Sequence, residues 1–160
     1  MTNTTAINPC VKQDWRERIL RTGVAYYYPF YALFRKKQSS WHLNSQILLN
    51  YPSNSLGYAL GLFLAHHQFE LYDKCENHDI FHVILNYDVS VLGELQLVFC
   101  LLGNGRYTLT NMLASMAGIL LYPEYIRKFK YAYLRGRALP LFHSQMFIKQ
   151  LCQPISVWQL

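Results

Sequence analysis

Short turn signals divide this chain, and between them apolar residues recur at helical spacing, with no convincing pair of strands. From Asp14 to about Lys37, residues such as Ile19, Leu20, Val24, Tyr27, Tyr31 and Phe34 share this pattern, and Pro29 kinks or splits the segment. The turn "YPSNS" at 51–55 lets Ser55 cap a helix from Leu56 to about Phe69. A further helix over Glu76–Leu85 ends at "NYDVS", where Asp88 or Ser90 can cap the next, running through Glu94 to Leu102. "LGNGR" at 102–106 suits a turn, because Gly and Asn tolerate left-handed backbone angles. Helices over about Leu109–Leu121 and Pro123–Leu139 follow, with Pro123 in a favourable first-turn position. A short helix around His143–Leu151 closes the chain. Residues 1–10 read as a disordered lead-in and 11–160 as one domain. The expected fold is all-α, a single-domain helical bundle.

No apolar run approaches the roughly 20 residues that a bilayer-spanning helix needs. "SLGYALGLFLA" and "MLASMAGILLY" have the length of buried core helices. At 52% hydrophobic and 15% charged residues the chain is too apolar for disorder. Its 13 tyrosines, each an apolar body with a polar tip, suit a greasy pocket or a membrane-facing surface. The net charge of +6 is clustered: Lys12 to Arg21 near the start, Arg35-Lys36-Lys37, then Arg127, Lys128, Lys130, Arg135 and Arg137. Such clusters among aromatics attract an anionic membrane or a phosphorylated or carboxylated ligand, or simply form a solvated helix face. Nucleic acid is the least supported partner, since neither zinc-finger spacing nor an RNP-type strand is present. Cys10, Cys75, Cys100 and Cys152 form no CxxC pair and read as buried free thiols in a reducing compartment. "MTNTTAINPC" lacks the basic start and apolar run of a secretory signal.

The chemistry concentrates in "ENHDIFHVILNYDVSVLGELQ". His78 and His82, four residues apart on a helix, project from one face and can bind one cation together. Asp79 is displaced by about 100° and can reach that cation from the edge or hold a ligand or water beside it. Glu94 follows on the next helix and faces the pair if the two helices form an antiparallel hairpin. Nitrogen and oxygen donors of this kind suit Zn²⁺, and also Fe²⁺, Co²⁺ or Mn²⁺. The competing reading is an amphipathic helix with two satisfied histidines, and Glu94 paired with an Arg or Lys. A zinc-peptidase motif would place Glu directly after the first histidine, where Asp79 stands. Di-iron bundles use two Glu-x-x-His pairs, which the chain lacks. His66 and His67 read as a feature of a helix end, and His42 and His143 carry no assigned role.

"HDIFHVILNYDVSVLGE" resembles the signature of the coenzyme Q (ubiquinone) biosynthesis protein 4 family: His-Asp-x-x-His, eleven residues, then Glu. "YPSNSLGYALGLFL", "AYLRGRALPLF" and "QPISVWQL" are similar to further family segments, so the resemblance covers about residues 44–160. It implies a helical protein holding a divalent cation, commonly zinc, on His78, Asp79, His82 and Glu94. It further implies a place among other quinone-biosynthesis proteins at a membrane surface, as a homodimer. The implied chemistry is removal of the C1 carboxylate from a prenylated hydroxybenzoate precursor by oxidative decarboxylation, or presentation of that precursor. Lys74, one turn before His78, sits where the family tends to have a basic residue and would pair with the carboxylate. The absence of a targeting segment favours a bacterial member, cytoplasmic and peripheral at the inner face of the membrane. The alternative is a non-catalytic scaffold that binds an isoprenoid lipid and uses its metal only as a structural clamp.

Overall fold

Helix boundaries follow the capping chemistry closely in the computed structural model, which describes residues 15–20, 22–23, 41–71 and 76–159. The chain divides into two compact units, Met1–Phe34 and Arg35–Leu160. In the first, residues 15–20 and 22–23 are helical. The lead-in expected at 1–10, most of the helix expected from Asp14, and Lys74 lie outside the described residues.

The second unit begins with a single turn, α1 (Ser45–Leu48), capped by Asn44, whose side chain accepts from the Ile47 amide at 2.8 Å. Next comes α2 (Leu56–His67), where Ser55 accepts from the Tyr58 amide. It ends at Gln68, in a left-handed conformation, with His66 and His67 in its last turn. α3 (Glu76–Leu85) and α4 (Val91–Gly103) are joined by a turn in which Ser90 caps α4 and Asp88 in turn accepts from Ser90. α5 (Leu109–Leu121) is capped by Thr108. A 3-10 turn (Pro123–Tyr125) then leads into α6 (Ile126–Ala138). The short helix expected around His143–Leu151 shrinks to a 3-10 turn, Phe147–Gln150, and another follows at Ile155–Val157. No strand occurs among the described residues, and the fold is all-α.

α4 is the axis of the bundle, packed by α3, α5 and α6. Its crossing with α6 is close because a glycine on each helix faces the backbone of the other: a Cβ on Gly136 would strike the Cys100 carbonyl, and one on Gly103 the Tyr133 carbonyl. Beside them Phe99 and Phe129 stack at 4.7 Å. Phe81, Phe142 and Phe147 pack edge to face where the chain returns after α6. Asn104 clasps that return. Its amide donates to the Gly136 and Pro140 carbonyls, and its Oδ1 accepts from the Phe142 and His143 amides. Gly105, not Asn104, takes the left-handed angle of the turn (φ 96°). The C-terminal segment then pins the start of α2, with the Leu56 and Gly57 amides donating to Gln153 and Leu151.

Two expectations need correction. Cys152 is exposed, whereas Cys100 is buried and free as expected. The apolar run in α5 does not form a buried helix: its buried residues are Asn111, Ser115 and Gly118, and Leu109, Met112, Leu113, Met116 and Leu120 are exposed. No helix among the described residues is long and apolar enough to cross a membrane.

Candidate metal centre

His82 anchors the site. It lies 2% exposed on the inner face of α3, and His78 projects one turn earlier. α3 ends because Asn86 adopts a left-handed angle (φ 54°), a conformation that Asn tolerates through its short polar side chain. That reversal turns the Tyr87 carbonyl back onto His82, whose Nδ1 donates to it at 2.9 Å. In the neutral ring, the form that binds a metal, the proton on Nδ1 leaves Nε2 as the ligating nitrogen, the arrangement that commonly orients metal-bound histidines; the imidazolium also carries a proton on Nε2, which faces Glu94. Glu94 arrives from the first turn of α4. Gly93 permits this, since a Cβ there would collide with the backbone and side chain of Asp88 in the connecting turn.

The three side chains meet closely. His78 Nε2 and His82 Nε2 lie 3.2 Å apart. Glu94 Oε2 is 3.2 Å from His78 Nε2, and its Oε1 is 3.2 Å from His82 Nε2. One ligand atom from each falls within 4.8 Å of the others, a group that could hold a metal ion. Bonds of roughly 2.0–2.1 Å to a tetrahedral ion would set ligands about 3.3 Å apart, so the spacing suits such a centre. The donor set, two imidazoles and a carboxylate, also suits an octahedral ion with open positions. The side chains of His78 and Glu94 remain 45% and 40% exposed, which leaves the outer side of the group open to solvent.

The electrostatics are those of a carboxylate among imidazoles. Burial works against the charged form of Glu94, but hydrogen bonds from His78 and His82, and their charge, hold its carboxyl down at about 2. Burial also disfavours the imidazolium of His82. The bond and charge of Glu94, the Tyr87 carbonyl and the charge of Asp79 outweigh this, and its pKa rises above the usual histidine value. Burial pushes Asp79 up to about 6, against the lowering pull of the two histidines. Asp79 is therefore an electrostatic neighbour of the group without being one of the three converging side chains.

Neighbouring residues frame His82. The Phe63 ring of α2 stacks on its imidazole, with centroids 5.8 Å apart and planes at 15°. A surface cleft of about 410 Å³ opens beside it, lined by Phe63, His67, His82, Val83, Tyr87 and Asp88 among others. Arg135 of α6 braces the turn from behind: its guanidinium donates to the Leu85 carbonyl at 2.9 Å and lies over the Tyr87 ring. None of these supports was read from the sequence. Asn86 offered the one available signal, since Asn at a helix end can reverse the chain. No protein-family model matches the chain, and no curated protein does.

Proposed function

We propose that this protein is a divalent-metal-dependent helical protein of quinone biosynthesis. It acts on, or presents, the C1 carboxylate of a prenylated hydroxybenzoate precursor. The observation that supports this reading most is the convergence of His78, His82 and Glu94, with His82 held by the Tyr87 carbonyl and the group open on one side. These three residues would hold the ion, with Asp79 beside them. When bound, the ion would supply a Lewis acid for a carboxylate or phenolate oxygen.

The rest of the work belongs to the chain's own residues. The Tyr87 carbonyl keeps the proton of the neutral His82 ring on Nδ1, away from the ligating nitrogen. Glu94 stays ionised across the physiological range. Phe63 and the adjoining cleft offer an apolar wall and room for an aromatic ring next to His82. The openness of the group favours chemistry over a closed structural clamp, which would use a fourth protein ligand.

The test uses untagged protein purified without added metal, beside a His82→Ala variant. Elemental analysis should find near one equivalent of a divalent metal in the first and none in the second. Metal-loaded protein should bind a prenylated hydroxybenzoate and release its labelled carboxyl as carbon dioxide when an oxidant is supplied. Metal binding without substrate binding would remove the quinone assignment. No metal after reconstitution with zinc, iron, cobalt or manganese would remove the site.

A further inference from the structure

The carbonyl that orients His82 belongs to a turn that a cation from another helix holds in place. An α-helix leaves its last four carbonyls without partners inside the helix, and α3 ends at Leu85. Arg135 of α6 supplies one partner: its Nη1 donates to the Leu85 carbonyl at 2.9 Å. The chain then reverses at Asn86 (φ 54°), and the ring of the next residue, Tyr87, has its centroid 5.1 Å from the centre of the same guanidinium. One side chain thus grips the backbone before the reversal and the ring after it. Between those two points the turn presents the Tyr87 carbonyl to His82 Nδ1 at 2.9 Å.

Both the chemistry of Arg135 and its mounting suit this task. A guanidinium offers donors along its edge and a cationic face to a ring, so it makes both contacts at once; an ammonium has no such face. Its neighbour Gly136 approaches the Cys100 carbonyl of α4 so closely that a Cβ there would clash. That contact fixes the backbone of α6 against the helix that carries Glu94. Arg135 therefore ties the end of α3, and with it His82, to the support of the third converging side chain.

We propose that Arg135 is a positioning residue for the candidate metal centre. By holding the Leu85 carbonyl and the Tyr87 ring, it sets the Tyr87 carbonyl that accepts the His82 Nδ1 proton and aims Nε2 at His78 and Glu94. Its action runs through the turn. Charge alone predicts the opposite sign, since a cation near the site repels a divalent ion and its removal would tighten binding. The effect on the ion rests on the metal-binding reading above, whereas the effect on the His82 proton is independent of it.

The test compares untagged full-length wild type with Arg135→Met and Arg135→Lys, each checked for folding by circular dichroism. In the metal-free proteins, nitrogen-edited NMR follows exchange of the His82 Nδ1 proton with solvent, a proton present in both the imidazolium and the ligating tautomer. Arg135→Met should speed that exchange by about 10-fold, the weight of one lost hydrogen bond. Arg135→Lys can still reach the carbonyl but cannot cover the ring, and should fall between. Titration with Co²⁺, read from its visible absorption, should show binding weakened by about 10-fold in Arg135→Met, the lower end for groups that orient a metal-bound histidine. Asn104→Ala loosens the bundle about 15 Å along the α4 axis from Glu94, and should leave both readouts at wild-type values. Unchanged proton exchange in Arg135→Met overturns the proposal, as does tighter Co²⁺ binding or an equal effect from Asn104→Ala. If the methionine variant does not fold, Arg135→Lys decides, and wild-type exchange there overturns the proposal. If wild type takes up no Co²⁺, the metal reading falls and proton exchange alone decides whether Arg135 positions His82.

Discussion

α4 and α5 are neighbours of equal length, 13 residues each, and both consist mainly of Leu, Val, Ile, Met, Phe, Ala and Gly. α4 buries Leu95, Leu97, Phe99, Cys100, Leu101 and Leu102; α5 buries Asn111, Ser115 and Gly118. Composition therefore does not decide which side of an apolar helix turns inward. Shape does. α4 is enclosed by α3, α5 and α6, so large side chains on several faces find partners. α5 comes close to α4 at Leu95, whose side chain a Cβ on Gly118 would meet at 3.0 Å. An inward stripe of Ser and Gly allows close approach, and the large apolar residues are displaced to the outside.

Truncation of one leucine on each helix tests this contrast most directly. Leu97→Ala removes a fully buried side chain from α4 and should cost about 3 kcal/mol in urea unfolding, much of it from the cavity left behind. Leu120 is 76% exposed on α5, and Leu120→Ala should change stability by less than about 0.5 kcal/mol. Equal costs at the two sites would mean that the α5 face is covered in the folded protein. Asn104→Ala at the end of α4 comes next. It would leave the Gly136 and Pro140 carbonyls, the buried Phe142 amide and the half-buried His143 amide without their partner, at about 2–3 kcal/mol. Ser115→Leu puts the residue that hydropathy would favour on the inner face of α5. It should nonetheless destabilise by about 1–2 kcal/mol through overpacking against α4, and a gain in stability would refute the inside-out arrangement.

Legibility followed the same division. The bounds of α3 and α5 coincide with those read from periodicity, Ser55 caps the helix it was expected to cap, and of Asp88 and Ser90, both open as caps of α4, Ser90 takes the position. Caps and turns are local, and local chemistry is written in adjacent residues. The His78–His82 pair was legible because i and i+4 share a helical face. Glu94 needed the next helix to turn back onto the pair, a packing that the sequence left as a condition. The facing of α5 was not legible, because a 3.6-residue stripe identifies a face without saying whether a neighbour covers it. Arg135 and Phe63 come from helices distant in sequence, so nothing near the histidines announced them.

Polar groups make a last contrast between these regions. Those on the inner face of α5 are neutral, whereas Asp79, beside the candidate metal centre, is a carboxylate held against its preference. Its pKa in the folded protein is about 6, above the ordinary 3.8, so the folded state retains a proton that the unfolded chain has lost. Stability from this group is thus complete below about pH 4 and is lost as pH rises through 6. A two-unit shift corresponds to at most about 3 kcal/mol, and partial exposure reduces this to about 1 kcal/mol. Asp79→Asn should accordingly stabilise the metal-free protein by about 1 kcal/mol at pH 7, and by nothing at pH 4. Glu94, its pKa lowered, titrates in the opposite sense, whereas His82, its pKa raised, loses its contribution as pH rises, as Asp79 does. Their pairing contributes between about 4.5 and 6.5, fading as acid approaches 2 and as base passes the raised pKa of His82. Asp79→Asn thus isolates one charge against a fixed background. A divalent ion on His78, His82 and Glu94 would reverse the sign at Asp79, because its anionic form would then face a cation. Thermal melts of wild type and Asp79→Asn should therefore cross: the variant higher in chelator, the wild type higher with saturating zinc. If the variant melts higher in both, Asp79 makes no electrostatic contribution to holding the ion.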